Sequence, residues 1–273
     1  MLRDLLVHVD SSESGRRRVR FAVGLAARTG ARLSGIHVAP SAEVPPLYKP
    51  SQVDEIAGQL TSRLARETSA AAAIFSTEAS QCADASWFEA QGDVVAGICH
   101  KAKFTDMVLV GQDERQGAVE RHPFPIAHAV AVRCGRPVLV VPAEVQGTSL
   151  ARVALAWDGG RESVRALHDA LPLLRLSQSL DIVTVFARDA DRDANEIQSL
   201  QQHLTRHGIE SIACALRPLG TDEHEVLRRH LEQGLHDLVV MGAYSHPMWM
   251  EFVFGGASES ILMSSKVPVL VSH

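Results

Sequence analysis

The sequence predicts an α/β protein made of two doubly wound parallel-sheet domains in tandem. Three observations support this prediction: the chain is written as two similar copies, its strand-like runs are apolar throughout, and these runs alternate with helical segments. Continuous apolar runs rich in β-branched residues are typical of parallel strands that are covered on both faces. Strands that alternate with helices imply right-handed crossovers and therefore a doubly wound sheet.

The two copies are related by nearly constant spacings. The run "LRDLLVHVD" ends at Asp10 and its counterpart "ARVALAWD" ends at Asp158, 148 positions later. Three other pairs are each 131 positions apart: Asp106 and Asp237, Gly111 and Gly242, Pro137 and Pro268. The first copy therefore holds 17 extra residues, which we place between about 41 and 80 as a loop before an alanine-rich helix.

The element order within each copy is five strands with four helices between them. We predict one domain over residues 1–142, a linker over 143–151 and a second domain over 152–273. In the second copy the predicted strands lie near 152–157, 181–187, 211–217, 237–242 and 267–272. The predicted helices of that copy start near Gly160, Asp191, Thr221 and Gly256.

Composition narrows the function classes. The chain of 273 residues carries a net charge of −5 and a pI near 6.2, which argues against a general nucleic-acid binder. The one dense basic run, "GRRRVR" at 15–20, is interpreted as a solvated helix face. No apolar stretch reaches the length of a membrane span, and no signal peptide is recognisable. Four scattered cysteines without a CxxC pair favour a reduced compartment and no metal site, so we expect a cytoplasmic protein.

The stretch "MGAYSHPMWMEFVFGGASES", from 241 to 260, is the strongest candidate for a ligand site. Ligands of open parallel sheets bind beyond the carboxyl ends of the strands, where Asp158, Gly242 and the glycine pair are expected to lie. Gly255 and Gly256 come just before the helix "ASESILMSS". Unpaired amides at a helix start form an anion site, and glycine permits close approach of a phosphate. The backbone amides of Gly255, Gly256, Ala257 and Ser258 are therefore candidates to bind one phosphate, with a further hydrogen bond from the Ser258 hydroxyl.

This combination of features resembles the universal stress protein family, and in particular its tandem members. The family motif after the fourth strand is Gly, two residues, Gly, nine residues, Gly, then Ser or Thr. Gly242 and Gly255 match it, whereas Ser245 and Gly256 replace the second glycine and the hydroxyl residue. By this resemblance Asp158 contacts the adenosine part of ATP and Ser258 contacts phosphate. The resemblance also implies an adenine nucleotide alpha hydrolase-like fold, and pairing of the final strands of the two domains within the chain.

The first copy departs further from the motif. Gly111 remains, but by the constant spacing Glu114, Phe124 and Pro125 stand where Ser245, Gly255 and Gly256 stand in the second copy. Proline has no amide to donate, and the acidic pair at 113–114 repels phosphate. We therefore predict that the phosphate site of the first domain is lost.

The leading functional prediction is a non-catalytic stress-response protein that binds ATP, with or without Mg²⁺, in its second domain. The alternative is a nucleotide-free interaction or dimerisation module of the same fold, which the substitutions Ser245 and Gly256 favour. For the loop itself, a glycine-rich turn without a ligand stays open, as does a role for Asp158 in capping the first turn of the following helix. An enzyme is not predicted, because no general base is recognisable and "GASES" lacks the last glycine of the GxSxG motif. Whether two chains associate into a homodimer stays open.

Overall fold

A computed structural model describes residues 1–41, 50–112, 126–185, 190–217, 223–242, 261–262 and 264–273. The strands are β1 (Asp4–His8), β2 (Arg32–Ala39), β3 (Ala85–Gln91), β4 (Met107–Gly111), β5 (Val138–Val141), β6 (Arg152–Ala156), β7 (Ser179–Val185), β8 (Ile212–Leu216), β9 (Leu238–Gly242) and β10 (Val269–Ser272). The helices are α1 (Glu13–Thr29), α2 (Pro50–Glu78), α3 (Val94–Ala102), α4 (Ile126–Arg133), α5 (Arg161–Leu174), α6 (Ala190–Arg206) and α7 (Glu223–Leu231).

All ten strands belong to one sheet, in the order β3-β2-β1-β4-β5-β10-β9-β6-β7-β8. Every pairing is parallel except that between β5 and β10, where Leu139 lies opposite Leu270 in an antiparallel register. The second half therefore repeats the strand order of the first half in reverse along the sheet. This arrangement confirms the predicted fold class and the pairing of the two final strands within the chain.

Two apolar layers cover the faces of the sheet, and each contains residues from both halves. One layer holds side chains of α1, α2, α5 and α6, and the other holds side chains of α3, α4 and α7. The central strands β1, β4, β5, β9 and β10 are almost wholly buried, as their continuous apolar sequences predict. The edge strand β8 is mostly exposed, with Ile212 at 66% exposure.

The second-half elements lie within a few residues of their predicted positions. The strands begin at 152, 179, 212, 238 and 269, and the helices after the first three strands begin at 161, 190 and 223. The predicted helix start at Gly256 lies outside the described residues. Most of the extra residues of the first half lengthen a helix rather than a loop, because α2 has 29 residues and its counterpart α6 has 17. Proline at the first position of α2 is tolerated there, since that amide has no partner within a helix.

The repeated aspartates Asp106 and Asp237 fasten neighbouring strands at their amino ends. Oδ2 of Asp106 accepts hydrogen bonds from the amides of Arg3 and Asp4, at 2.6 and 3.0 Å. Oδ2 of Asp237 accepts from the amides of Ala151 and Arg152, at 3.1 and 3.0 Å. These aspartates, which stand at equivalent positions in the two copies, therefore link the first and fourth strands of each half.

The basic run at 15–20 is only partly the solvated face that its composition predicts. Arg16 and Arg20 pair with Glu78, and Arg17 pairs with Glu144. Arg18, in contrast, is 4% exposed and points into the molecule. The reason is its position, because the buried residues of α1 include both neighbours of Arg18 along the helical repeat. None of the described helices is both long and apolar enough to cross a membrane.

Candidate nucleotide site

The strand order places one crevice in each half. The winding reverses between β1 and β4 in the first half, and between β6 and β9 in the second. Segments that follow the carboxyl ends of these strands lie at the mouths of the two crevices, where ligands of doubly wound sheets bind. Asp10 and Gly111 lie at the first crevice, and Asp158 and Gly242 at the second. The two crevices differ in which groups fill them.

In the first half, the carboxylate of Asp10 is fully engaged by its own chain. Oδ1 accepts hydrogen bonds from the amide of Ser12, at 2.9 Å, and from the Ser12 hydroxyl. Oδ2 lies 2.5 Å from Nη2 of Arg18. Burial alone would raise the pKa of Asp10, but the Arg18 guanidinium and the hydrogen bonds of Ser12 outweigh it and hold the pKa well below its ordinary value.

The side chain of Arg18, on α1, fills the first crevice. Its Nε donates to the carbonyl of His8 at 2.8 Å, and its guanidinium lies so close to Gly111 that a β-carbon there would collide with Nη1. Burial and the neighbouring Arg18 lower the pKa of His8 from 6.5 to about 3, so this imidazole is neutral. His37 is also buried, with Nδ1 at 2.8 Å from the carbonyl oxygen of Val9. These polar side chains together fill the first crevice.

In the second half, Asp158 is exposed and lies in the turn that leads into α5. Its Oδ1 accepts a hydrogen bond from the amide of Gly160 at 2.8 Å. Within the described ranges, Oδ2 of Asp158 has no hydrogen-bond or ion-pair partner. Gly160 is the residue before α5 and supplies no side chain to cap that helix. The arrangement leaves one carboxylate oxygen and a helix N-terminus together at the mouth of the second crevice.

Gly242 ends β9 against the first turn of α5. A β-carbon at this position would lie 2.5 Å from the amide nitrogen of Ser163 and 2.6 Å from the carbonyl carbon of Glu162. These are backbone atoms, so they cannot rotate away. Glycine here is required by close packing between a strand end and a helix start, a requirement that the motif alone does not reveal.

The turn after β6 is also braced from α6, which sequence reasoning missed. Nε1 of Trp157 donates to Oε1 of Glu196 at 2.9 Å. Gly159 has a φ of 72°, and a β-carbon there would lie 2.5 Å from the same carboxylate oxygen. The glycine pair at 159–160 was a visible signal of a tight turn, but nothing in the sequence pointed to Glu196 as its neighbour.

The remaining predicted site residues lie outside the described residues: Ser245, Gly255, Gly256, Ala257 and Ser258. The same holds for their first-half counterparts Glu114, Phe124 and Pro125. Ala127, which corresponds to Ser258, is 3% exposed at the start of α4. Among the described residues, no group of three or more His, Cys, Asp or Glu side chains is arranged to hold a metal ion.

Comparisons with solved structures support the fold. A universal stress protein from Archaeoglobus fulgidus DSM 4304 matches with a TM-score of 0.71 at 19% identity, covering 98% of this chain and 95% of that chain. A putative universal stress protein from Pseudomonas aeruginosa UCBPP-PA14 matches with a TM-score of 0.59 at 12% identity, covering 99% and 93%. A universal stress protein solved in complex with cAMP matches 52% of this chain and 98% of its own, at 21% identity and a TM-score of 0.34.

The sequence itself matches a family model over more than half of its length. The model for the universal stress protein family matches residues 1–142. A search of curated proteins gave no match. The family match covers the half in which the motif is more altered, and the strand order shows that the other half has the same architecture. The chain therefore belongs to the universal stress protein family, as a member with two such halves in tandem.

Proposed function

We propose that this stress protein is non-catalytic and binds ATP or a related adenine nucleotide, with or without Mg²⁺, in its second half only. The proposed site residues are Asp158, Gly242, Ser245, Gly255, Gly256, Ala257 and Ser258. In this proposal Asp158 contacts the nucleoside, and the amides that follow the glycine pair contact phosphate. The chain has no nucleic-acid or membrane partner in this proposal, and it acts in the cytoplasm, for which its four free cysteines are suited.

The observation that carries the proposal is the state of Asp158. Its carboxylate is exposed, and its one described hydrogen bond comes from the adjacent Gly160 amide. Asp10, at the same place in the first half, is neutralised by Arg18 and bonded to Ser12. A carboxylate with a free oxygen is a good acceptor for the hydroxyl and amino groups of a nucleoside. The carboxylate of Asp158 is therefore available as an acceptor, whereas the carboxylate of Asp10 is already paired within the chain.

The non-catalytic part of the proposal rests on the absence of a recognisable general base. Hydrolysis of ATP requires a group that orients or deprotonates the attacking water. In this proposal Asp158 lies at the nucleoside, away from the phosphates. We expect that purified protein releases no phosphate from ATP above the rate of a buffer blank, measured in a continuous phosphate assay with Mg²⁺. Phosphate release that scales with protein concentration and disappears in Gly255→Asp would overturn this part.

Calorimetric titration of nucleotide-free protein with ATP and Mg²⁺ tests the binding. We expect one site per chain, weakened at least about tenfold by Asp158→Asn, because a neutral amide replaces the acceptor. Gly255→Asp should abolish binding, since it adds bulk and negative charge beside the proposed phosphate amides. Asp84→Asn is the matched control, because Asp84 is an exposed aspartate whose ion pair with Arg32 is 3.3 Å long and lies at the far end of the sheet.

The other outcomes decide between the alternatives. Two sites per chain would show that the first half binds nucleotide despite Phe124 and Pro125. No binding at millimolar ATP would favour the nucleotide-free interaction module, to which the motif departures Ser245 and Gly256 also point. Self-association of the chain is a separate proposal, tested by light scattering on the same samples.

A further inference from the structure

We propose that the residue at position 18, and its counterpart at position 166, decides which half of the chain accepts a nucleoside. Arg18 is ion-paired with Asp10, the carboxylate of the first half, whereas Ala166 leaves the carboxylate of Asp158, in the second half, available to a ligand. This inference rests on the proposed function, because it assigns Asp158 to ligand binding. It adds a specificity-determining position that lies inside the protein, eight residues after each aspartate.

Arg18 satisfies Asp10 so completely that a ligand would have to displace an internal ion pair. Nη2 of Arg18 lies 2.5 Å from Asp10, and Nε donates to the carbonyl of His8 at 2.8 Å. The Arg18 side chain is 5% exposed, whereas the Asp10 side chain retains 37% exposure at the crevice mouth. Removing one partner of a buried ion pair leaves the other charge uncompensated, so the pair resists exchange for a neutral ligand group.

The side chains that bond to Asp10, and the neighbouring His8, are replaced in the second half. With the spacing of 148 residues, Ser12 corresponds to Gly160, Arg18 to Ala166 and His8 to Ala156. Ala166 is fully buried and Ala156 is 8% exposed, so these positions remain part of the core. The substitutions remove a hydroxyl, a guanidinium and an imidazole from the same crevice. Among the described residues, what is left at Asp158 is the backbone hydrogen bond from Gly160.

The two repeated glycines, Gly111 and Gly242, also have different neighbours in the two halves. Gly111 lies against the Arg18 guanidinium, whereas Gly242 lies against the backbone of Glu162 and Ser163 at the start of α5. A side chain thus fills the first crevice, whereas backbone at the start of α5 narrows the second. The shared glycine motif therefore serves two different packings.

The test exchanges the deciding residue between the halves of the full-length chain. Adenosine is the probe for the first half, because it lacks phosphates and does not depend on the altered loop with Phe124 and Pro125. We expect Arg18→Ala to add an adenosine site that the wild type lacks. We expect Ala166→Arg to weaken ATP binding in the second half at least about tenfold. Val164→Arg is the matched control, since Val164 is 39% exposed on the same helix.

Two further variants keep the test decisive. The triple variant His8→Ala, Ser12→Gly, Arg18→Ala copies the second-half residues at all three positions, and it is used if the single variant folds poorly. Circular dichroism and thermal unfolding establish that each variant is folded. A merely structural role for Arg18 predicts lower stability and no new site. Adding Asp10→Asn to either first-half variant should remove the new adenosine site.

The outcomes separate this inference from the proposed function. A folded Ala166→Arg variant that binds ATP like the wild type overturns the inference. Folded first-half variants that gain no adenosine site also overturn it. If the wild type binds no nucleotide, the proposed function is wrong, and the first-half variants alone then decide: a gained site supports the inference, and no gain overturns it.

Discussion

At position 242 glycine is required by close packing and not by the backbone conformation of the residue itself. A β-carbon on this residue would lie 2.5 Å from the amide nitrogen of Ser163, so its absence leaves room for the backbone at the start of α5. We expect Gly242→Ala to lower the free energy of unfolding by about 1–3 kcal/mol, because α5 must move away from the strand. Urea unfolding followed by circular dichroism measures this change.

The matched control is Gly58→Ala, in the exposed first part of α2. A β-carbon at Gly58 meets no atom within 4 Å, and alanine favours the helix by roughly 0.5–1 kcal/mol. The two substitutions should therefore change stability in opposite directions. Equal and small effects would show that α5 does not press on the end of β9.

His8 makes the stability of the first half depend on pH. Its pKa is lowered from 6.5 to about 3, first by burial and then by Arg18, so the folded protein excludes a proton that the unfolded chain binds. Between these values stability falls as the pH falls, with a contribution of up to about 1.4 kcal/mol per pH unit. We expect His8→Asn to flatten the stability profile between pH 6.5 and 4, measured by urea unfolding. An unchanged slope in His8→Asn would contradict the assignment.

At the scale of elements, Gln112 joins the end of β4 to the segment before β10. Its Nε2 donates to the carbonyls of Leu262 and Ser265, at 2.8 and 3.1 Å. These are acceptors from the other half of the chain, so one side chain of the first half fixes the approach to the last strand of the second. We expect Gln112→Ala to cost about 1–3 kcal/mol, because both carbonyls lose a partner.

Hydrogen exchange locates this effect. Protection should fall first around residues 261–265, while the amides of α2 keep theirs. Gln59→Ala serves as the control, since in the described part of the chain the Gln59 amide donates to Glu55 on the same exposed helix face, at 3.3 Å. Loss of protection confined to the first half would show that Gln112 does not couple the two halves.

At the scale of the whole molecule, the antiparallel β5–β10 pair makes one sheet of two repeats. Leu139 and Leu270 are fully buried and opposite each other, in an apolar layer shared by both halves. We expect Leu139→Ala to cost about 2–5 kcal/mol and to keep a single unfolding transition, because the cavity lies in a common core. Hydrogen exchange should show loss of protection in β6 and β9 as well as in β1 and β4. The exposed Leu235→Ala is the control, and protection lost only in the first half would contradict a shared core.

The same pairing bears on self-association. β5 is paired with β4 and β10, and β10 with β5 and β9, so neither final strand has a free edge for another chain. The unpaired edges of the described sheet are β3 and β8. A homodimer would therefore use a surface other than the final strands, which light scattering on an edge variant such as Ile212→Lys would examine.

The sequence by itself determined the repeat, the α/β class, the family resemblance and the strand positions within a few residues. These follow from local patterns, because apolar runs, glycines and constant spacings are properties of the chain alone. It also singled out Asp10, Asp158, Asp106 and Asp237, but it did not reveal their different roles. The site residues from 245 to 258 stay predictions.

Only the tertiary structure decided what each repeated residue contacts. Arg18 belongs to a basic run that composition assigns to solvent, yet the helical repeat turns it inward to neutralise Asp10. Glu196 is far from Asp158 in sequence, and α6 brings it against the turn at 157–159. A carboxylate's availability depends on its partners in space, and those partners lie on other elements of the fold. For that reason two aspartates that look alike in the sequence differ here: Asp10 is paired with a buried arginine, and Asp158 is exposed.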